Sequence, residues 1–97
     1  NLISLSRFTI NTYFGEKKHA RIGYDEDRDT LFIMPATEED SLGLKLIGRD
    51  NSNFFYINAK NFISDFKLMP EGKQKSKKYD CKWDENNECL IVENVKK

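Results

Sequence analysis

Apolar and polar positions alternate with period two in several short runs. Ile3 and Leu5 alternate with Ser4 and Ser6, and Phe55 and Ile57 alternate with Tyr56 and Asn58, which predicts two half-buried strands. Each run ends on a residue suited to cap a helix, because the side-chain oxygens of Ser6 and Asn58 can accept from the first free helical N–H groups. One apolar stripe follows each cap: Ile10 with Tyr13 and Phe14, then Phe62 and Ile63 with Phe66. Two short helices are predicted, the first ended by Gly15 and the second by Leu68-Met69-Pro70-Glu71-Gly72.

A hairpin is predicted after each helix. Ala20, Ile22 and Tyr24 alternate with Arg21 and Gly23, the segment Asp25 to Asp29 is too polar to bury, and Leu31 to Met34 returns as a strand. The second hairpin reads as Tyr79, Cys81 and Trp83, a polar loop from Asp84 to Glu88, and a return through Cys89 to Val92. Between the two halves, Leu42, Leu44 and Leu46 alternate as a connecting strand, followed by the turn-forming run Gly48 to Asn53.

These halves are self-similar, and internal similarity organises the whole reading. Tyr24-Asp25-Glu26 with Leu31 and Ile33 matches Trp83-Asp84-Glu85 with Leu90 and Val92 at one offset of 59 residues. Leu5-Ser6 with Ile10 and Phe14 matches Ile57-Asn58 with Phe62 and Phe66 at an offset of 52. The difference is an insertion in the second copy around Lys73 to Lys78. The expected fold is α+β and mostly β: two strand–short helix–hairpin repeats forming a small pseudo-twofold barrel. A single domain spans 1–97, with repeat one at about 3–35, the connecting strand at about 42–47 and repeat two at about 54–94. Leu5, Ile10, Phe14, Ile22, Leu31, Ile33, Ile57, Phe62, Phe66, Trp83, Leu90 and Val92 are the expected core.

A strand ending in a helix cap, a turn or two of helix, a proline-glycine turn and a hairpin resembles the AbrB/SpoVT swapped-hairpin family. Ile57-Asn58-Ala59-Lys60 through Phe66, then Leu68-Met69-Pro70-Glu71-Gly72, carries the resemblance best. The chain departs from that pattern in having Ser6 and Asn58 where family members commonly have proline, and in lacking the proline turn in the first copy. The resemblance implies a barrel of two interlocked units, closed within one chain or by swapping between two, and a DNA-binding regulator or antitoxin. It also implies phosphate contacts from basic residues at the strand-to-helix junction, of which Arg7 and Lys60 are the nearest here. Lys17, Lys18, Arg21, Lys73, Lys75, Lys77 and Lys78 extend that basic set if they fold to the same side.

Charge sharpens the choice of partner. Sixteen basic and sixteen acidic side chains cancel, so the molecule is no polycation coating nucleic acid indiscriminately. The distribution is uneven. From Asp25 to Asp40 seven acids face only Arg28, whereas from Lys73 to Lys82 five lysines face only Asp80. Seven Phe, four Tyr and one Trp supply core-sized surfaces that a disordered chain lacks. No run approaches the roughly 20 apolar residues of a membrane span. Two cysteines, Cys81 and Cys89, make no disulfide framework and read as small buried hydrophobes in a reducing cytoplasm.

Catalytic and cofactor chemistry finds no foothold in the pattern. His19, the single histidine, sits beside Lys17 and Lys18 with no nucleophile at a recognisable spacing and reads as a surface residue. The acids of Asp25 to Asp29 start like a calcium loop, but Thr30 and Ala36 stand where that loop needs glycine and glutamate. No phosphate-binding glycine loop, nucleophile elbow or zinc motif is present, and no metal or cofactor is expected. Two nonenzymatic functions remain. The first is a cytoplasmic regulator binding double-stranded DNA. The alternative is a small protein inhibitor or adaptor whose acids, Asp25, Glu26, Asp27, Glu38, Glu39 and Asp40, imitate a phosphate backbone. A mobile-element product occupying the channel of a host nuclease such as a CRISPR effector is one form of it.

Overall fold

The computed structural model describes residues 2–48, 52–68 and 79–96. Among these residues seven strands form one antiparallel sheet: β1 (Leu2–Ser6), β2 (His19–Asp25), β3 (Thr30–Ala36), β4 (Leu44–Gly48), β5 (Phe54–Asn58), β6 (Lys82–Asp84) and β7 (Cys89–Glu93). Their order across the sheet is β1-β5-β4-β2-β3-β7-β6, curled into a half-barrel. Helix α1 (Arg7–Thr9) runs directly into a π-helical turn, Ile10–Phe14, and helix α2 (Lys60–Asp65) follows β5. The architecture is mostly β, as the alternation predicts.

Period-two patterning decides which face is buried. Inward rows run Ile3↔Ile57↔Leu46 toward one end of the sheet and Ile22↔Ile33↔Leu90↔Trp83 toward the other. Ile10 and Phe14 from the π turn and Ile63 from α2 complete the cluster. Of the expected core, Leu5, Ile10, Phe14, Leu31, Ile33, Ile57, Leu90 and Val92 are buried. Ile22, Phe62, Phe66 and Trp83 are half-buried and pack against it. Fully burying one such aliphatic side chain is worth about 1.5–3 kcal/mol.

Local signals act unequally in the two halves. Ser6 caps α1 as predicted, its Oγ accepting from the Thr9 N–H at 3.1 Å. Gly15 ends the π turn with φ at +58°, a conformation that disfavours any side chain. Asn58 does not cap α2. The N-cap is Ala59, and the Asn58 side-chain Oδ1 accepts only a long 3.4 Å contact from the Lys60 N–H, so the helix begins one residue later than its sequence signal. Cys81 is exposed, contrary to its expected burial, because the second hairpin's outer strand is confined to Lys82–Asp84. Cys89 is buried. The connecting strand is Leu44–Gly48 rather than 42–47, and Leu42 is exposed. The turn Met69 to Gly72 lies outside the described residues.

Both hairpin turns use one device. The Asp25 carboxylate accepts from the N–H groups of Asp27 and Arg28 at 3.0 and 3.3 Å, and the Asp84 carboxylate accepts from Asn86 and Asn87 at 3.0 and 3.4 Å. Each turn closes on a left-handed residue, Asp29 or Glu88. A side-chain bond from Asn87, with those backbone N–H groups, holds the Asp84 carboxyl below its ordinary range against the opposing effect of burial.

Chain-end residues also join the core. Val95 is buried, its N–H donates to the Asp29 carbonyl, and the Lys96 N–H reaches both Asp29 carboxylate oxygens at 3.0 Å. Tyr79 donates to the Val95 carbonyl at 2.9 Å. Tyr24 donates to Asp29 at 2.6 Å. That bond, with burial and the charges of Asp29, Glu26 and Asp25, pushes the Tyr24 phenol up to about 12.

Candidate nucleic-acid interface

The predicted basic residues separate into three groups. The first forms where β2 meets β4. His19 pairs with Lys45 and Ala20 with Leu44, while the Leu46 N–H donates to the Lys18 carbonyl at 2.9 Å. Ala20 points into the core, so its neighbours His19 and Arg21 face outward, on the side shared with Lys45. Lys17 and Lys18 lead into that strand from the Gly15 turn, and Lys17, Lys18, Arg21 and Lys45 are all exposed. Lys60 opens α2 two residues past Asn58, which itself lies just beyond the Leu46–Ile57 pair, so it enters from the same end of β4 and β5.

Arg7 stands apart. Ser6 pairs with Phe54 and Leu2 with Asn58, placing Arg7 and Lys60 at opposite ends of β1 and β5, roughly 15 Å apart at about 3.3 Å per residue. The Arg7 guanidinium is also occupied. Its Nε donates to the Ser52 carbonyl at 2.8 Å and its carbon lies 4.8 Å over the Phe55 ring, so it ties β1 to the segment before β5. Lys73, Lys75, Lys77 and Lys78 lie outside the described residues.

The acidic residues divide as well. Asp25, Glu26 and Asp27 lie at the β2–β3 turn, with Glu26 and Asp27 exposed. Glu38, Glu39 and Asp40 follow Ala36, whose partner is His19, so they lie beyond the far end of the hairpin and border the basic group. Asp40 reaches Arg21 at only 3.9 Å on an exposed surface, too weak a pair to cancel the cluster. The acids from 25 to 40 therefore make two separate surfaces.

Sequence reasoning missed Lys45. It is the one charge in a strand reading Leu-Lys-Leu-Ile-Gly, and only the β2–β4 pairing reveals its basic neighbours. It also missed an aromatic stack that only Lys17 of this group adjoins. Tyr13 and Trp83 lie 4.7 Å apart at 16°, flanking a shallow hollow with Phe14, Lys17, Pro35 and Glu88. The ring contact joins elements 70 residues apart in the chain, beyond any local signal.

Comparison with family models, curated proteins and solved structures finds no match.

Proposed function

We propose that this chain is a nonenzymatic regulator of AbrB-like type that binds double-stranded DNA, built as two swapped-hairpin-like units paired in one pseudo-twofold half-barrel. Strand pairing supports the layout: corresponding first strands, β1 and β5, lie side by side, as do corresponding last strands, β3 and β7. β4 enters between β5 and β2 as the connecting element. The observation that carries the binding reading is the exposed basic group Lys17, Lys18, Arg21 and Lys45, gathered where β2 meets β4, with Lys60 entering from the same end. Phosphate contacts from such a group would make affinity strongly salt-dependent.

The test is fluorescence anisotropy of a labelled mixed-sequence duplex at two salt concentrations. Binding is expected to weaken with salt, and replacing Lys17, Lys18 and Lys45 by alanine should lower the slope by about one unit per lost contact. Absence of binding at low salt, or an unchanged slope in the triple variant, contradicts this reading.

A second reading is favoured by the β2–β3 turn, which Asp25 and the Tyr24–Asp29 bond hold in one shape while Glu26 and Asp27 face solvent. It is the protein inhibitor or adaptor that offers acids to a basic nucleic-acid channel. No duplex binding, with capture of a nucleic-acid-binding protein that is lost on reversing Glu26 and Asp27, would favour it over the first.

A further inference from the structure

The two ends of the sheet are unlike. One end is β6, three residues long and carrying Lys82 and Asp84, with Lys82 bridged to Glu93 at 3.1 Å. Short length and charge are the usual means by which an edge strand avoids pairing with another chain. The other end is β1, and among the described residues it pairs only with β5. Its five residues, Leu-Ile-Ser-Leu-Ser, include no charge and no proline in a chain that is 33% charged, and its register against β5 is unbroken by a bulge. Large apolar side chains gather around this end: Leu2 is 55% exposed, Phe54 on β5 48%, and Phe8 just after β1 72%. Nothing in β1 protects its outer edge.

The geometry points to β1 as the site where a second copy of this chain docks, edge to edge and antiparallel across a twofold axis. Self-pairing is the occupant the strand fits. With Ser4 opposite Ser4, Ile3 of one copy meets Leu5 of the other on the inward face, and Leu2 meets Ser6 on the outward face. Inward side chains thus stay inward, and the two hydrophobic cores extend toward each other. A one-residue slip would set inward positions against outward ones and lose that match. An uncharged strand meets its own copy without like-charge repulsion, and the twofold closes the assembly at two chains. This contact differs from the pairing of the two units inside the proposed half-barrel, and it does not depend on what the basic group binds. One strand pair buries less than the about 1,200 Å² of a standard stable complex, so association is concentration-dependent.

Sedimentation equilibrium of the full chain across a concentration series, from low to high micromolar, tests the assignment. The wild type is expected to rise from 11.4 kDa toward twice that mass. Ser4 is an exposed position, so S4K and S4E are expected to fold, as circular dichroism checks, and each to stay monomeric because like charges face each other across the axis. An equimolar mixture of the two should regain the dimer. A wild type that stays monomeric throughout overturns the proposal. So does a folded S4K that dimerises as wild type does, or a folded S4K and S4E mixture that fails to associate.

Discussion

Leu90→Ala is the sharpest perturbation of the core. Leu90 is completely buried and sits between Ile33 on β3 and Trp83 on β6, in the inward row that ties the second hairpin to the first. The substitution removes three carbons, worth about 2.4 kcal/mol at ~0.8 kcal/mol each. Strands on both sides hold the surrounding backbone, so the site cannot fully collapse, and a cavity penalty of about 1–2 kcal/mol adds to the transfer loss. The expected cost is about 3.4–4.4 kcal/mol, a large fraction of the ~5–15 kcal/mol that stabilises a domain of this size. Urea unfolding followed by circular dichroism should show a midpoint about 2 M lower, taking a slope of ~2 kcal/mol/M. Leu42→Ala is the control, since Leu42 is 62% exposed, and it should cost no more than about 0.5 kcal/mol. A Leu90→Ala cost below about 1 kcal/mol, or equal effects of the two substitutions, would refute the assignment of this row to the core.

Gly48→Ala should cost about 1–3 kcal/mol in the same assay, because its Cβ would strike the Phe55 ring, itself held under Arg7; a neutral result would show that the ring moves freely aside. Ser6→Ala should cost about 1 kcal/mol through loss of the cap on the Thr9 N–H, whereas Asn58→Ala, which loses only the 3.4 Å contact to the Lys60 N–H outside the N-cap position, should cost clearly less. The Tyr24 phenol titrates near 12 in the folded chain against 10 in the unfolded one, so folding favours its protonated form. Its contribution to stability is full below about pH 10 and is lost as pH rises through about 12, and Tyr24→Phe should remove that fall. Ultraviolet titration of tyrosinate checks the value directly.

Short-range signals were legible in the sequence and long-range ones were not. Strand alternation at Ile3, Leu5, Phe55 and Ile57, the Ser6 cap and the polar turns after Asp25 and Asp84 act within a few residues, and each is realised. Asn58 shows the limit of such signals. It has the right chemistry for a cap, yet the helix starts after Ala59, which is itself buried in the core cluster. The candidate site was harder to read because its members meet across the sheet. Lys45 joins Lys18 and Arg21 only through the β2–β4 pairing, and Arg7 leaves the basic set because Ser52 and Phe55, distant in the chain, claim its guanidinium. The acids from 25 to 40 looked continuous in sequence. A seven-residue hairpin strand carries them to opposite ends of the fold.

Corresponding strands lie beside each other in the sheet, and cross-strand nuclear Overhauser effects measure that placement directly. Backbone contacts linking Ser4 with Tyr56, and Phe32 with Ile91, are the expected result. A sheet in which β1 shows no contact with β5, or β7 none with β3, would contradict it.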